Sequence, residues 1–531
     1  MSLTAWKGLA LYLGAFLPLV YIAYFIVPKR WRWIVLLGAS YAFFWNSSKI
    51  LVVYLIAATL VTWGSGLLIE RAKNSIQKPE GRKETRDERK QRRAITQKRM
   101  RLVCTIGTLI LLGILVVLKY GSFIQGVFIE LFKADAKLPL AKVALPLGIS
   151  FYTMSAVGYV IDVYRGKYAA CHNLGTIALF LSFFPTLTEG PIGRFDELAP
   201  QLRAGEIARG ERLVYGLQLI VWGMIKKIVI ADRIAPLVGM IFTDHTKYEG
   251  VMVIIAAALY TLQLYADFSG VVDIARGSSE LCGITLAQNF RQPFFSKSVN
   301  EFWRRWHMTL GGWLRDYVFY PVSLSGATRS LSTWARKHLK GNAVRIVPTI
   351  LALLAVWSAT GIWHGADWKY LAYGLYYFAL VMVGMLLEPL FVAFFERTGI
   401  KRDGLLNSGI AMVRTIALVI IGMMLFRADT LADFVQMFKS IFAGPGTEPL
   451  VNNLWLSFRV SDADLNIALI GGALMLAVDI THEFDVALRP LLLRHGTALR
   501  WAVGIALVAF MLTFGAYGPG YDAIPSIYAN F

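Results

Sequence analysis

The sequence predicts an all-α polytopic membrane protein with about eleven transmembrane helices. Hydrophobic residues make up 56% of the 531-residue chain and charged residues only 17%, whereas a soluble globular domain usually carries about 25% charged residues. Long apolar runs recur from one end of the chain to the other. Such runs form helices because every backbone polar group must be satisfied within the membrane. The series of alternating ten-residue segments typical of a transmembrane barrel does not occur in the sequence.

Some of the candidate spans are shorter than the roughly 20 residues that a full crossing requires, so we expect tilted, paired or re-entrant segments among them. The first span, 8–27, is too long for the core of a secretory signal and is followed by basic residues, so we interpret it as a retained helix. The candidate spans are 8–27, 33–46, 50–69, 102–119, 144–163, 175–190, 213–243, 250–268, 346–363, 370–394, 410–426, 466–480 and 500–517.

Positive charge is concentrated in a few segments of the chain. The formal net charge is +20, and much of it lies in the segment 71–101. No aromatic residue interleaves with these charges, as a stacking platform for bases would require, so nucleic acid is not predicted as a partner. The positive-inside rule instead predicts a basic cytoplasmic loop able to contact anionic membrane lipid. A second basic cluster at 29–32 lies two spans earlier, which places the N-terminus outside.

The segment 289–323 is too polar to face lipid and too aromatic for an ordinary solvated loop. Ser298 and Glu301 have capping-box spacing and predict the start of a helix. Arg304 and Arg305 leave this helix on neighbouring sides. One face of the helix is predicted to carry Trp303, Trp306, His307 and Leu310. We therefore expect an amphipathic or re-entrant helix embedded among the spans.

Two histidines lie where a membrane protein carries few ionisable groups. His364 closes the apolar run 346–363, and His307 lies in the predicted re-entrant helix. Such groups are costly at membrane depth and indicate a cavity used for chemistry or transport. No metal or redox cofactor is predicted, because the sequence holds no His/Cys cluster with ligand spacing. The remaining histidines lie in polar contexts and are interpreted as solvated: His172, His245, His338, His482 and His495.

An ordered series of motifs runs along nearly the whole chain. It consists of Leu145-Pro-Leu-Gly-Ile-Ser-Phe-Tyr152, Ile161-Asp-Val-Tyr-Arg165, Ser182-Phe-Phe-Pro185, Glu189-Gly-Pro-Ile192, Gln263-Leu-Tyr-Ala-Asp-Phe-Ser269, Asn289-Phe-Arg-Gln-Pro293, Glu301-Phe-Trp-Arg-Arg-Trp-His307, Trp313-Leu-Arg-Asp-Tyr317, Trp363-His-Gly365, Phe426-Arg-Ala428 and Phe514-Gly-Ala-Tyr-Gly-Pro-Gly520. In this order the motifs resemble the membrane-bound O-acyltransferase (MBOAT) family, and within it the AlgI-like alginate O-acetyltransferase branch. Two departures, Met154-Ser155 and Glu189, affect the expected lining of the substrate path more than the expected activity.

The resemblance implies one membrane-embedded acyltransferase domain over 1–531, with helices around a central tunnel. It implies His364 as the general base, and His307 as a residue that orients the acceptor or polarises the thioester carbonyl. For Arg304 and Arg305, substrate contact and structural ion pairing remain equally open. Asp316 is favoured as a structural partner. Trp363 is expected in the tunnel wall. The candidate substrate-binding residues are Trp303, Arg304, Arg305, Asp316 and Trp363.

The resemblance also implies the substrates and partners. The donor is expected to be a cytoplasmic thioester, acetyl-CoA or an acyl carrier protein, acting as co-substrate with no bound cofactor. An extracytoplasmic partner acetyltransferase or the polysaccharide acceptor is expected outside a bacterial cytoplasmic membrane. The product is then an O-acetylated extracellular or cell-wall polysaccharide.

Two other functions remain open from the sequence. D-alanyl transfer to teichoic acids is performed by a shorter related branch, which lacks the additional C-terminal spans. A non-catalytic transporter of acyl or glycan precursors would use intramembrane His, Arg and Asp equally well. The sequence shows no two-fold hydropathy repeat of the kind many transporters have, which favours an enzyme.

Overall fold

The computed structural model describes residues 5–75, 85–133, 145–447, 462–486 and 488–527. Over these residues the regular secondary structure is helical and contains no strand, which confirms the predicted all-α class. Part of the predicted basic loop, 76–84, and the first residue of the predicted span 144–163 lie outside the described residues.

Twenty helices account for most of the described chain, and π-helical turns lie within three of them, at Tyr12–Phe16, Ile225–Ala231 and Arg315–Phe319. In chain order the helices are α1 (Trp6–Ile26), α2 (Arg32–Ser48), α3 (Val52–Asn74), α4 (Arg86–Phe132), α5 (Ile149–Arg165), α6 (Leu174–Ser182), α7 (Phe184–Leu187), α8 (Phe195–Ala204), α9 (Glu211–Thr243), α10 (Val251–Leu281), α11 (Val299–Arg305), α12 (308–323), α13 (Gly326–His338), α14 (Ala343–His364), α15 (Trp368–Thr398), α16 (Leu405–Arg427), α17 (Leu431–Ser440), α18 (Asp462–Glu483), α19 (Leu488–Arg494) and α20 (Thr497–Phe514).

Ten helical stretches in the described part of the chain are long and apolar enough to cross a membrane. The protein is therefore a multi-pass membrane protein, with nearly the expected number of crossings. The helices α2 and α3 belong to a single stretch of 46 residues, Lys29–Asn74. The predicted spans 144–163 and 175–190 are not among the ten: α5 has 17 residues, and the chain turns at Phe183 between the short helices α6 and α7.

The described part of the basic segment 71–101 is helical, where the sequence predicted a loop. Residues 71–74 end α3, and α4 begins at Arg86 and continues for 47 residues. Thr85 starts this helix with a capping box, because its hydroxyl accepts the N–H of Glu88 and the Glu88 carboxylate accepts the N–H of Thr85. The basic residues of 86–101 therefore extend a membrane helix beyond its apolar portion.

Helices α9 and α10 pack at backbone distance through two pairs of glycines. A Cβ added at Gly270 would lie 2.8 Å from the carbonyl oxygen of Gly223, and one added at Gly216 would lie 2.9 Å from that of Gly277. Side chains of any size would force the helices apart, and small residues commonly permit such close packing in membranes. This contact fixes α10, which carries residues of the candidate site.

Candidate active site

His307 lies at a break between two helices and not within one continuous helix. The predicted start is correct, since Ser298 caps α11 by accepting the N–H of Glu301 at 3.2 Å. The helix nevertheless ends at Arg305, and His307 adopts a left-handed conformation with φ 46° before α12 begins. The predicted single helical face is therefore wrong, because the chain changes direction between Trp306 and Met308.

Asn289 holds this break in place. Its backbone carbonyl accepts the N–H of Met308 at 2.9 Å. Its Oδ1 accepts the backbone N–H of Thr309 at 3.0 Å and the Thr309 hydroxyl at 2.9 Å, and lies 3.2 Å from Nδ1 of His307. A segment 18 residues earlier in the chain thus supplies the hydrogen bonds that the interrupted helix lacks.

The same contacts determine where His307 carries its proton. A backbone N–H can only donate, so the Asn289 atom that faces Thr309 must be the carbonyl oxygen. An oxygen that accepts from Thr309 also needs a donor at Nδ1 of His307, which places the imidazole proton on Nδ1 and a lone pair on Nε2. Complete burial lowers the pKa of His307 to about 3, so the ring is neutral near pH 7.

His364 is buried at the C-terminal end of α14, inside a cage of aromatic rings. The ring of Tyr373 lies 5.7 Å from the imidazole and that of Phe426 5.1 Å away, both nearly perpendicular to it. Phe426 opens the Phe-Arg-Ala motif, which the fold brings against His364 from the end of α16. The cage keeps the imidazole away from bulk water.

Two glycines allow α14 and α15 to approach closely beside His364. A Cβ on Gly361 would overlap the carbonyl group of Tyr370, and a Cβ on Gly374 would overlap that of Trp357. The two helices therefore pack backbone against backbone one turn before α14 ends. This close approach places Tyr373 against the imidazole of His364.

Trp363 joins the two histidines into one site. Its indole lies 4.9 Å from the ring of His364 and 5.7 Å from that of His307. The ring of Phe151, in α5, also packs against the Trp363 indole, at 5.7 Å. The fold therefore brings together two histidines that are 57 positions apart in the sequence.

Lys119 belongs to this site, although no role was predicted for it. Its Nζ donates to the carbonyl oxygen of Trp363 at 2.5 Å and to the hydroxyl of Ser150 at 3.3 Å. The sequence interpretation ended a span at this lysine, but α4 continues for 13 further residues. The available signal was the apolar sequence after Lys119, which places the charge inside a helix.

Trp303 packs against the aromatic residues around His364 and is linked to the imidazole through Tyr373. Its ring packs 4.7 Å from Tyr377 and 6.2 Å from Tyr373, which in turn contacts His364. Among the five candidate substrate-binding residues, Trp363 contacts both histidines directly, and Trp303 contacts Tyr373, which packs on His364.

The two arginines differ in their surroundings. Arg305 is half-buried and binds Glu301 at 2.6 Å and Glu483 at 2.5 Å, so it joins α11 to α18. Arg304 is exposed, and no ion pair or hydrogen bond of its side chain occurs among the described residues. Asp316 binds Arg194 at 2.7 Å and Arg315 at 3.0 Å. These contacts favour structural roles for Arg305 and Asp316 and leave Arg304 open to solvent or ligand.

A buried acidic cluster that was not predicted includes Asp267, and the next residue, Phe268, packs its ring 4.9 Å from that of His307. The hydroxyl of Ser526 is 2.8 Å from the carboxylates of both Glu189 and Asp267. Lys227 binds Asp267 at 2.8 Å and Asp232 at 2.7 Å. One hydroxyl proton cannot be aimed well at two carboxylates at once, so this geometry favours a proton on one of them. Burial, together with the charge of Asp267, raises the pKa of Glu189 to about 8.

A comparison with protein families finds one match in this chain. The model of MBOAT, the membrane-bound O-acyltransferase family, matches residues 170–336. His307 and the acidic residues of the cluster lie within this match, whereas His364 lies beyond its end. The similarity of the C-terminal part is therefore carried by individual relatives.

Curated relatives extend the similarity over most of the chain. A protein of Pseudomonas aeruginosa named probable alginate O-acetylase AlgI is 32% identical over 435 residues, which cover 81% of this chain and 74% of the relative. The peptidoglycan O-acetyltransferase of Helicobacter pylori is 27% identical over 401 residues, covering 69% of this chain and 67% of the relative. The teichoic acid D-alanyltransferase of Bacillus subtilis is 30% identical over 239 residues, covering 44% and 58%.

Proposed function

Since this chain belongs to the membrane-bound O-acyltransferase family and is an O-acyltransferase, we propose that it transfers acetyl groups from a cytoplasmic thioester toward an extracytoplasmic polysaccharide, with His364 as the general base. The observation that carries the proposal is the meeting of His307 and His364 around Trp363 in one buried site. The motifs predicted both histidines, and their placement in one site supports a common chemical task.

The reaction needs a base because a hydroxyl is a poor nucleophile near neutral pH. The imidazole of His364 takes the hydroxyl proton as the oxygen attacks the thioester carbonyl. The tetrahedral intermediate then collapses, the carbon–sulfur bond breaks, and the proton passes from the imidazolium to the departing thiolate. An ester and a free thiol result, and the base returns to its neutral form.

The tautomer of His307 favours one of its two expected roles. With the proton on Nδ1 directed at Asn289, Nε2 accepts a hydrogen bond and cannot donate one. A thioester carbonyl needs a donor, whereas an acceptor hydroxyl can donate to Nε2. We therefore assign to His307 the orientation of the acceptor hydroxyl, which removes rotational freedom before the attack.

The relatives support acetyl as the transferred group. Matches to O-acetylases and an O-acetyltransferase cover 69–81% of the chain, whereas the match to a D-alanyltransferase covers 44%. D-alanyl transfer to teichoic acid is the second candidate, favoured by its own 30% identity.

The location of the donor follows from the chemistry of the two pools. Acetyl-CoA and acyl carrier protein are cytoplasmic, and a surface polysaccharide is not, so the acyl group has to cross the bacterial cytoplasmic membrane. We propose an N-terminus on the outer side, the basic part of α4 on the cytoplasmic side, and an extracytoplasmic partner acetyltransferase or the polysaccharide itself as the acceptor. These assignments rest on the distribution of basic residues.

Purified protein in detergent or nanodiscs tests the chemical step. Acetyl-CoA and acetyl-loaded acyl carrier protein are supplied separately, and release of free thiol is measured with and without an oligosaccharide acceptor. We expect release from one donor, and we expect His364→Ala to reduce the rate by about 10²–10⁴-fold. His338→Ala, at an exposed histidine stacked on Trp334, is the matched control. Equal rates for wild type and His364→Ala would exclude the proposed base.

A further inference from the structure

The C-terminal end of α14, which carries His364, is held by two consecutive residues of α4. The last carbonyl groups of a helix have no partner within it, and no water satisfies them at membrane depth. Here the hydroxyl of Tyr120 donates to the carbonyl of Ile362 at 2.6 Å, and Nζ of Lys119 donates to that of Trp363 at 2.5 Å. A helix far away in the sequence thus caps α14.

Lys119 is unusual among the buried lysines of the described chain. Lys226 binds Asp273 at 2.5 Å and Lys227 binds Asp232 at 2.7 Å. For Lys119, no carboxylate of the described residues lies within ion-pair distance. Its hydrogen bonds go to two neutral oxygens, and the negative end of the α14 dipole favours a cation at this position.

The lysine also contacts the side chain between the two histidines. Nζ of Lys119 lies 5.6 Å from the centre of the Trp363 ring, in addition to its hydrogen bond with the carbonyl of the same residue. One Nζ therefore contacts both the backbone and the indole of Trp363. The next residue is His364, whose imidazole direction depends on the backbone that Lys119 holds.

We infer that Lys119 is a positioning residue for His364, and that Tyr120 supports it by holding the carbonyl of Ile362. Lys119 acts through the Trp363 backbone to fix the direction of the His364 imidazole. This inference rests on the proposed function, because it assumes that His364 is the base. A buried lysine without a carboxylate partner is costly at membrane depth, and a simple helix cap does not require one.

The test compares kcat and the KM for the acyl donor, both measured by thiol release, for five variants of the full-length protein. Lys119→Met removes the donor and charge at similar length, Lys119→Arg keeps both, and Tyr120→Phe removes only the hydroxyl. Lys226→Met serves as the control for the loss of a buried lysine that pairs with a carboxylate, Asp273, and His364→Ala tests the base. The folded fraction of each preparation is measured by thermal unfolding, and rates are expressed per folded protein.

Positioning predicts a loss in kcat with little change in KM. Lys119→Met should lower kcat by up to about 10²-fold, since a misplacement near 1 Å has effects of that size. Tyr120→Phe should lower kcat less, Lys119→Arg should restore most of the activity, and Lys226→Met should lower the unfolding temperature and leave kcat per folded protein unchanged.

Two results separate this inference from the proposed function. If His364→Ala is inactive while Lys119→Met and Tyr120→Phe have wild-type kcat, the positioning role is wrong and the proposed base stands. If His364→Ala is as active as wild type, His364 is not the base, and the inferred role of Lys119 is then wrong as well. Should Lys119→Met not fold, a wild-type kcat of Tyr120→Phe together with an equally active Lys119→Ala would overturn the inference.

Discussion

Asn289 Oδ1 lies 3.2 Å from Nδ1 of His307, and the same oxygen accepts the backbone N–H of Thr309. This pair of contacts fixes both the orientation and the tautomer of a histidine that stands at a break between helices. A side chain remote in sequence therefore determines which nitrogen of His307 faces an acceptor.

Replacing Asn289 by leucine should impair the site while preserving most of the side-chain volume. Without Oδ1, His307 loses its orientation and Thr309 loses two hydrogen bonds. We expect kcat to fall by about 10–10²-fold. Thiol release by purified protein measures this. Asn407→Leu is the control, because within the described part of the chain the Asn407 side chain bonds only the backbone carbonyl of Lys401. An unchanged kcat would show that His307 orientation is not needed.

Replacing Trp363 by phenylalanine should lower kcat through both histidines at once. The smaller ring cannot contact His307 and His364 as the indole does at 5.7 and 4.9 Å. We expect a loss of roughly tenfold in kcat, measured beside Trp334→Phe at an exposed position. A higher KM for the donor with normal kcat would instead indicate that Trp363 only binds substrate.

The two arginines should respond differently to substitution by methionine. Arg305→Met leaves Glu301 and Glu483 without their partner, and we expect a loss of about 1–3 kcal/mol in unfolding free energy. Donor KM should stay unchanged when it is measured per folded protein. Arg304→Met should leave the unfolding temperature unchanged. A rise in donor KM for Arg304→Met would assign that exposed residue to substrate contact, and the same rise for Arg305→Met would contradict its structural role.

The buried acidic cluster should make stability decrease as the pH rises. The pKa of Glu189 is raised by burial from an ordinary value of 4.5 to about 8, so the folded state keeps a proton that the unfolded state loses. This contribution to the unfolding free energy is fully present below the pKa that Glu189 has in the unfolded chain, and it is lost as the pH rises through the pKa in the folded protein. Its magnitude is on the order of a few kcal/mol.

Glu189→Gln, which cannot ionise, isolates this contribution. The variant should resemble wild type in unfolding temperature at pH 5.5 and exceed it at pH 8.5. The side-chain amide of glutamine can donate to the Ser526 oxygen in place of the carboxyl proton, so the contact seen at 2.8 Å is kept. Equal destabilisation of the variant at both pH values would mean that Glu189 is ionised in the folded protein.

Hydropathy and motif order were sufficient to predict the fold class and the family, and the same motifs contain the two histidines that the fold brings together around Trp363. These features depend on local sequence: apolar runs of membrane length, and short motifs in a fixed order. The helix start at Ser298 was also predicted correctly, because a cap depends on neighbouring residues alone.

The break at His307 could not be predicted from the local pattern. The spacing of Trp303, Trp306 and Leu310 fits a continuous helix, and the contact that interrupts it comes from Asn289, a distant residue. Lys119 was missed for the same reason, since its partner Trp363 lies on another helix. The short helices α6 and α7 were predicted as one span because burial by protein and burial by lipid select equally apolar residues.

Ester-linked acetate on the cell-surface polymers tests the central claim most directly. It is measured in a deletion strain that carries wild type or His364→Ala at matched membrane abundance. The account predicts that wild type restores the acetate and His364→Ala does not. Equal restoration by both proteins would contradict the assignment of the base. Acetate that never depended on the gene would contradict acetyl transfer, and D-alanine esters would then be quantified in the same strains.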